Sequence, residues 1–181
     1  MLLIVALVVT AVSVAGYRAR ATTGACSPDT APDADETDFV TLLNQYRASR
    51  GVGVVTVSPR LTQAATWMAE DLAANGYFSH TDTLGRLPWD RAVDCGYPST
   101  TIGENILGGT FNPATALANW KSSPGHNANM LNPQWRVIGV ARVPGGVYGV
   151  TWVTDFGVYV DASIGDPVSM FRAFIPEIAR E

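Results

Sequence analysis

Three helix-starting dipeptides and one hairpin pattern constrain the fold of this chain more than any other feature. Ser58-Pro59, Asn112-Pro113 and Ser123-Pro124 each place a helix-capping side chain before a proline at the first helical position. From residue 135 onward, two valine-rich runs flank a Pro-Gly-Gly turn at residues 144–146, which is the pattern of a β-hairpin. Helices come first and the hairpin last, so the sequence predicts an α+β fold or an α–β–α sandwich.

Apolar residues at helical spacing predict two longer helices in the first half of the chain. The first covers residues 35–50 and stops at Gly51, and the second opens at Ser58 and stops at Gly76. The side chains predicted to be buried are Phe39, Leu42, Leu43 and Tyr46 in the first helix and Leu61, Ala64, Ala65, Met68 and Leu72 in the second.

Residues 77–111 are punctuated by glycine and threonine. They predict a loop with one short helix around residues 89–93. The tryptophans occupy helix or strand positions that fit the core better than an aromatic ligand box, and they are Trp67, Trp89, Trp120, Trp135 and Trp152.

Length and composition limit the class of protein. A chain of 181 residues with 47% hydrophobic residues is one domain with short extensions. Its net charge is −4 and its sequence has no cluster of lysine or arginine, so nucleic acid is excluded as an expected partner.

The N-terminus has the pattern of an export signal. Residues 2–16 are apolar or small and would form about 23 Å of helix at 1.5 Å per residue, which is shorter than the ~30 Å hydrocarbon core of a membrane. Ala-Arg-Ala at residues 19–21 has the small-x-small form of a cleavage site. Arg18 and Arg20 follow the apolar run instead of preceding it, a pattern that favours an anchor with the body in the cytoplasm. We expect residues 1–21 to be a signal peptide, with an uncleaved membrane anchor as the alternative.

Cys26 and Cys95 are isolated from each other, so the sequence holds neither a redox-active Cys-x-x-Cys nor a cysteine zinc site. Two cysteines in an exported chain usually pair, and a disulfide is the prediction. Lipid modification of Cys26 is the weaker alternative, because the preceding residues lack the apolar position of a lipobox.

The chain has only two histidines, and both lie beside turn residues or a helix start. His80 lies in FSHTD, and His126 follows Ser123-Pro124-Gly125 in the first turns of a predicted helix. The structural interpretation is that each ring connects two loops by hydrogen bonds. The functional interpretation is that the two rings form one site.

Several motifs, taken in order, resemble one known family. They are LLNQYRASRGV, LTQAATWMAEDLAANGYFSHTD, GENILGG, ALANWKSSPGHNANML and IGVARV followed by YGVTWVTDFG. Their combination is similar to the CAP superfamily of cysteine-rich secretory, antigen 5 and pathogenesis-related proteins, and most similar to its bacterial SCP-domain branch. The resemblance implies a three-layer α–β–α sandwich over residues 37–157. It leaves residues 22–36 as an irregular leader and 158–181 as a C-terminal extension.

The resemblance also implies a cleft lined by two histidines and two acidic residues. His80, His126 and Glu104 of GENI match that pattern, whereas Ser123 stands where eukaryotic members have a second glutamate. Asp82 could replace the missing carboxylate, because alternate residues of an extended segment face the same way.

Two imidazoles and a carboxylate form a common zinc ligand set, with water in the fourth position. His80, His126 and Glu104 are therefore candidate ligands for zinc or another divalent ion, although no cofactor is expected to be required.

Two classes of function follow from these residues. The first is a secreted, non-catalytic binding scaffold, for which the resemblance implies a sterol, a fatty acid, or an envelope or host protein as partner. The second is a metal-assisted hydrolase, most simply a peptidase, using the same cleft. The sequence lacks a G-x-S-x-G elbow and offers no spare general base beyond Glu104 and Asp82, which favours the scaffold. We expect export to the cell envelope or the exterior, with membrane contact only if the N-terminus stays uncleaved.

Overall fold

The computed structural model describes residues 26–27 and 31–161. The helices are α1 (Ala34–Ser49), α2 (Pro59–Asn75), α3 (Pro88–Asp94), α4 (Pro113–Ser122) and α5 (Pro124–Met130). The strands are β1 (Thr56–Val57), β2 (Ile102–Gly108), β3 (Val137–Pro144) and β4 (Val150–Gly157).

The four strands form one sheet in the order β1-β3-β4-β2. The predicted hairpin is confirmed, because β3 and β4 pair in antiparallel fashion from Val137 opposite Gly157 to Pro144 opposite Val150. β1 is parallel to β3, and β2 is antiparallel to β4 at the other edge. Within residues 77–111 the predicted short helix is present as α3, but the prediction of loop is wrong for residues 102–108. They form β2, because cross-strand pairing with β4 overrides a weak local pattern.

Helices cover both faces of the sheet. On one face, α2 packs its buried residues against Ile106, Ala141 and Val153. On the other face, α1 and α4 pack around Trp152 and Phe156. The chain is therefore a three-layer α–β–α sandwich of the α+β class, as the sequence predicts.

The buried stripe predicted for α2 is confirmed in full. In α1, Phe39, Leu43 and Tyr46 are buried and Leu42 is half-buried. Trp89 corrects the prediction that all five tryptophans are in the core, since 41% of its surface is exposed. It lies on the short helix α3, whose inward positions are taken by other residues.

Helix ends follow the capping residues of the sequence. The Ser58 side chain accepts a hydrogen bond from the Leu61 amide, and Gly76 ends α2 in the left-handed conformation. Asp33 caps α1 through a capping box with Glu36. α1 therefore begins at Ala34, inside the stretch 22–36 for which the sequence predicts an irregular leader.

The close approach of α2 to the sheet depends on Gly139 in β3. A Cβ atom at this position would lie 2.1 Å from the carbonyl carbon of Leu61, so only glycine admits the helix backbone at this distance. The first turn of α2 is thereby seated directly on the centre of the sheet.

Cys26 and Cys95 form the predicted disulfide, with their Cα atoms 5.3 Å apart. Cys95 caps the C-terminus of α3, and the Ser27 hydroxyl donates to the Glu70 carboxylate of α2 at 2.9 Å. The leader is thus fastened to two helices. The predicted signal peptide and most of the C-terminal extension lie outside the described residues, and no helix within those residues is long and apolar enough to cross a membrane.

Candidate functional site

The side chains of His80 and Glu104 meet at the edge of the sheet. Glu104 lies on β2, and its carboxylate is buried, whereas the His80 side chain is 53% exposed. The Nδ1 atom of His80 is 2.7 Å from the Oε1 atom of Glu104. This hydrogen bond raises the pKa of His80 above its ordinary value, against an opposing effect of burial.

Arg91 of α3 holds the other side of this pair. Its Nη2 atom donates to Oε2 of Glu104, and its Nη1 atom donates to the backbone carbonyls of His80 at 3.1 Å and Arg86 at 3.0 Å. Both oxygens of Glu104 are therefore engaged. Arg91 belongs to none of the motifs that predict the site, although a charged residue beside Ala92 on the inward side of a short helix is a signal that could have found it.

Asp82 is engaged in a turn. Its carboxylate accepts hydrogen bonds from the amides of Leu84 at 2.9 Å and Arg86 at 2.8 Å, and from Nε of Arg86 at 2.9 Å. It also lies 3.8 Å from Nη1 of Arg91. Asp82 thus shapes the loop that carries His80 and reaches Glu104 only through Arg91.

His126 contacts β2 at the residue next to Glu104. Its backbone carbonyl accepts from Nδ2 of Asn105 at 3.2 Å, and Asn105 is the neighbour of Glu104 on the strand. Burial lowers the pKa of His126, and the positive charge of His80 lowers it further. Both histidines are therefore held against one edge strand, and the pKa of His126 responds to the charge of His80.

A network of polar side chains fixes α5, which carries His126, against β2. Asn129 donates through Nδ2 to Oδ1 of Asn105 at 2.9 Å, and its carbonyl accepts from the indole of Trp135 at 2.9 Å. A Cβ atom on Gly103 would lie 2.2 Å from Oδ1 of Asn129. The glycine of GENI is thus the residue that lets this helix sit close to the strand.

Ser123 lies at the junction of α4 and α5. Its backbone carbonyl accepts from the Asn127 amide at 2.8 Å, but its side chain makes no capping hydrogen bond. The prediction of a side-chain cap is wrong for Ser123 and confirmed for Ser58 and Asn112. The Ser123 hydroxyl is therefore not needed to start the helix.

A second carboxyl group lies directly behind Glu104. Asp155 of β4 is opposite Glu104 in the strand register and is wholly buried. Burial raises its pKa well above the ordinary value, and the negative charge of Glu104 raises it further. The sequence analysis missed it, although an aspartate within the apolar strand VTWVTDFG is unusual enough to demand a reason.

The donor set fits a three-ligand metal site poorly. Within residues 26–27 and 31–161, no group of three or more His, Cys, Asp or Glu side chains is arranged to hold a metal ion. Glu104, the carboxylate expected to complete the set, already binds His80 and Arg91 through its two oxygens. Only the two imidazoles would remain as donors.

An exposed aromatic side chain comes two residues before His80 and packs on a half-buried tyrosine. Phe78 is 53% exposed, and its ring packs edge-on against Tyr148 with 5.4 Å between centroids. Tyr148 in turn lies over Gly108 at the end of β2. We call Phe78 and Tyr148 the aromatic shelf.

This sandwich, with the His80–Glu104 pair at its open edge, defines a CAP-type domain. The chain belongs to the cysteine-rich secretory protein (CAP) family, whose model matches residues 40–156. It is 31% identical over 138 residues to YkwD of Bacillus subtilis, a protein described as uncharacterized, with 76% of this chain and 52% of that protein covered. The chain thus spans about half the length of this relative.

Solved structures agree with the assignment. An extracellular protein containing an SCP domain from Bacillus anthracis is 28% identical, with a TM-score of 0.60 over 67% of this chain and 39% of that one. An outer surface protein from Borrelia burgdorferi shares the fold at 20% identity, with a TM-score of 0.65 over 71% of this chain and 95% of that one.

Proposed function

We propose that this protein is an exported binding domain of the CAP family. Its cleft at the β2 edge receives a ligand between His80 and His126 and catalyses no reaction. The ligand we favour has an apolar part that rests on the aromatic shelf and a polar part that meets the imidazoles.

The state of Glu104 carries this proposal. Hydrolysis by an activated water needs a carboxylate or imidazole with a free basic atom facing the substrate. Glu104 is buried, and its two oxygens are engaged by His80 and Arg91. A carboxylate that is buried and held in this way orients the imidazole and is not placed to activate a water at the surface.

The ligand class is supported by what lies beside the cleft. Phe78 comes two residues before His80, and Val147, next to Tyr148, is 73% exposed. Exposed apolar side chains that adjoin a polar cleft are typical of binding surfaces. A fatty acid has a tail and a carboxylate that match the two parts of this surface. A sterol, or an envelope or host protein, would use the same apolar contacts.

Export is supported by three independent features. The N-terminal sequence has an apolar run followed by a small-x-small site. The chain contains a disulfide, which persists in oxidising compartments. The relatives of known structure include one described as extracellular and one as an outer surface protein.

A hydrolase is the second candidate, and one observation favours it. A half-exposed imidazole whose Nδ1 is held by a buried carboxylate has the arrangement of an oriented general base. Among the described residues no hydroxyl or thiol is hydrogen-bonded to the His80 ring, and the Ser79 hydroxyl accepts from the Thr81 amide instead, so water would have to be the nucleophile.

One experiment separates the two candidates. The full chain is collected from the culture medium without chelator and analysed by native mass spectrometry, with palmitate as the added probe and casein and p-nitrophenyl acetate as test substrates. We expect palmitate to bind, binding to weaken in Phe78→Ser, and both substrates to stay intact. Exposed Val54, on the linker that precedes β1, provides the matched control Val54→Ser. Reproducible cleavage that disappears in His80→Ala would replace the binding proposal with the hydrolase.

A further inference from the structure

The geometry points to Asp155 as a positioning residue of the cleft: we propose that it carries a proton and donates it in a hydrogen bond to Glu104, thereby holding Glu104 against His80. This proposal rests on the proposed function, because it concerns the same residues. Its test measures the pKa of His80 and not ligand binding, so the two proposals can fail independently.

The position of Asp155 in the sheet supports the proposal. Asp155 is opposite Glu104 on β2 and opposite Gly139 on β3. On the Gly139 side there is no side chain, and the backbone of α2 fills the space. The Glu104 carboxyl is thus the polar group that Asp155 faces across the sheet.

Asp155 also lacks any other hydrogen-bond partner among the described residues. Asp155 has 0% of its surface exposed, and within the described residues neither of its oxygens has a hydrogen bond of normal geometry. An ionised carboxylate buried without donors is strongly unfavourable, whereas a neutral acid needs only one acceptor. Glu104 offers that acceptor from across the strand pair.

The charges around Asp155 support the proposal as well. The charged groups that face Asp155 are Glu104 from β2 and Arg91 from α3, while Gly139 of β3 and Leu61 of α2 contribute none. Arg91 is one positive charge, and it already pairs with Glu104. When His80 is neutral, two carboxylates against a single guanidinium would leave a buried negative charge, and one shared proton removes it. The raised pKa of Asp155 agrees with this account.

The pairing of Asp155 with Glu104 also provides a second carboxyl group, as the second glutamate does in the eukaryotic pattern. Ser123 replaces the glutamate of the eukaryotic pattern, so the surface of the cleft has one carboxylate fewer. Asp155 supplies a second carboxyl from beneath, on the strand that pairs with β2. In this position it does not touch a ligand, and it acts through Glu104 on the orientation and basicity of His80.

The test compares two substitutions in the full chain. Asp155→Asn keeps an N–H donor toward Glu104 and the same charge as a protonated acid, whereas Asp155→Ala removes the donor. The pKa of His80 is measured by NMR titration of the imidazole. Assignment is simple because the chain has only two histidines and His126→Gln removes the other signal.

We expect the pKa of His80 to stay raised in Asp155→Asn and to fall toward its ordinary value of about 6.5 in Asp155→Ala. Infrared difference spectra of the wild type should contain a protonated carboxyl band that Asp155→Asn abolishes. The matched control is Thr151→Val, which removes another buried, unpartnered polar atom from β4 four residues away. It should leave the pKa of His80 unchanged.

Two results would overturn the inference. If Asp155→Asn lowers the pKa of His80 and removes no protonated carboxyl band, Asp155 is ionised and acts as a charge. If Asp155→Ala folds and leaves the pKa of His80 raised, Asp155 does not hold Glu104. Should Asp155→Ala fail to fold, Asp155→Asn decides the matter alone.

Discussion

His80 and Glu104 lie 24 positions apart in the sequence, yet Nδ1 of one is 2.7 Å from Oε1 of the other. The loop that carries His80 is held by Arg91, whose guanidinium binds the carbonyl of His80 and the carboxylate of Glu104 together. Nδ1 of His80 is thereby bonded to the buried carboxylate of Glu104, and Nε2 is the nitrogen that can bind a ligand. The geometry of this pair depends on α3 as much as on the two side chains.

The first prediction concerns pH. The folded pKa of His80 is raised, so its stabilising contribution is fully present below the unfolded value of about 6.5 and is lost as the pH rises through the folded pKa. The folded pKa of His126 is lowered, so its protonation destabilises the fold as the pH falls below about 6.5. We therefore expect His80→Gln to lose more stability at acidic than at alkaline pH, and His126→Gln to gain stability on acidification relative to the wild type. Urea unfolding across this range measures both, and parallel pH profiles for the two variants would contradict the assignment.

The second prediction concerns the disulfide, which closes a loop of 69 positions. On the chain-entropy model, a crosslink of this length stabilises the fold by about 4 kcal/mol. The double substitution Cys26→Ser with Cys95→Ser should lower the free energy of urea unfolding by roughly that amount. Ser27→Ala, which removes only the neighbouring hydrogen bond to Glu70, is the control and should cost about 1 kcal/mol. Equal losses in the two cases would show that the crosslink itself contributes little.

The sequence predicts the parts of this fold whose local signals are strong. Ser58, Pro59 and Gly76 mark both ends of α2, and the turn at residues 144–146 marks the hairpin. β2 was beyond prediction, because GENILG has little strand propensity and is stabilised by pairing with β4.

The residues of the site differ in the same way: some have a strong signal in the sequence, and others depend on contacts between distant elements. His80, His126 and Glu104 can be named from the sequence because histidine is rare here and the motifs resemble a known family. For Arg91 and Asp155 the sequence has only the signal of a charged residue among apolar neighbours, and their role depends on the approach of two other elements to Glu104. The local sequence pattern does not predict that α3 and β4 bring these two side chains to Glu104.

The third prediction concerns the contact that seats α5. In Gly103→Ala the new Cβ atom would lie 2.2 Å from Oδ1 of Asn129 and 2.7 Å from Cζ2 of Trp135, so α5 must shift. We expect a loss of about 1–3 kcal/mol in stability and a changed NMR signal of His126. Gly125→Ala is the control, because outside its chain neighbours and the backbone of its own helix no described atom lies within 4 Å of the new Cβ, and alanine favours the helix. A Gly103→Ala variant as stable as Gly125→Ala would show that the strand and helix are not closely packed.

The last prediction concerns zinc. Glu104 is engaged and Ser123 carries no charge, so the two imidazoles are the donors that remain, and calorimetry at neutral pH should find weak binding. His80→Ala and His126→Ala should each abolish it. Protons compete with zinc for imidazole nitrogens, and the raised pKa of His80 means that affinity should begin to fall at a pH above that of an ordinary histidine. Ser123→Glu should strengthen binding, because this side chain makes no capping bond and lies three positions before His126. Ser122→Glu adds the same charge at an exposed neighbouring position and should have a much smaller effect. Binding that survives His80→Ala, or that rises equally in both glutamate variants, would place zinc outside the cleft.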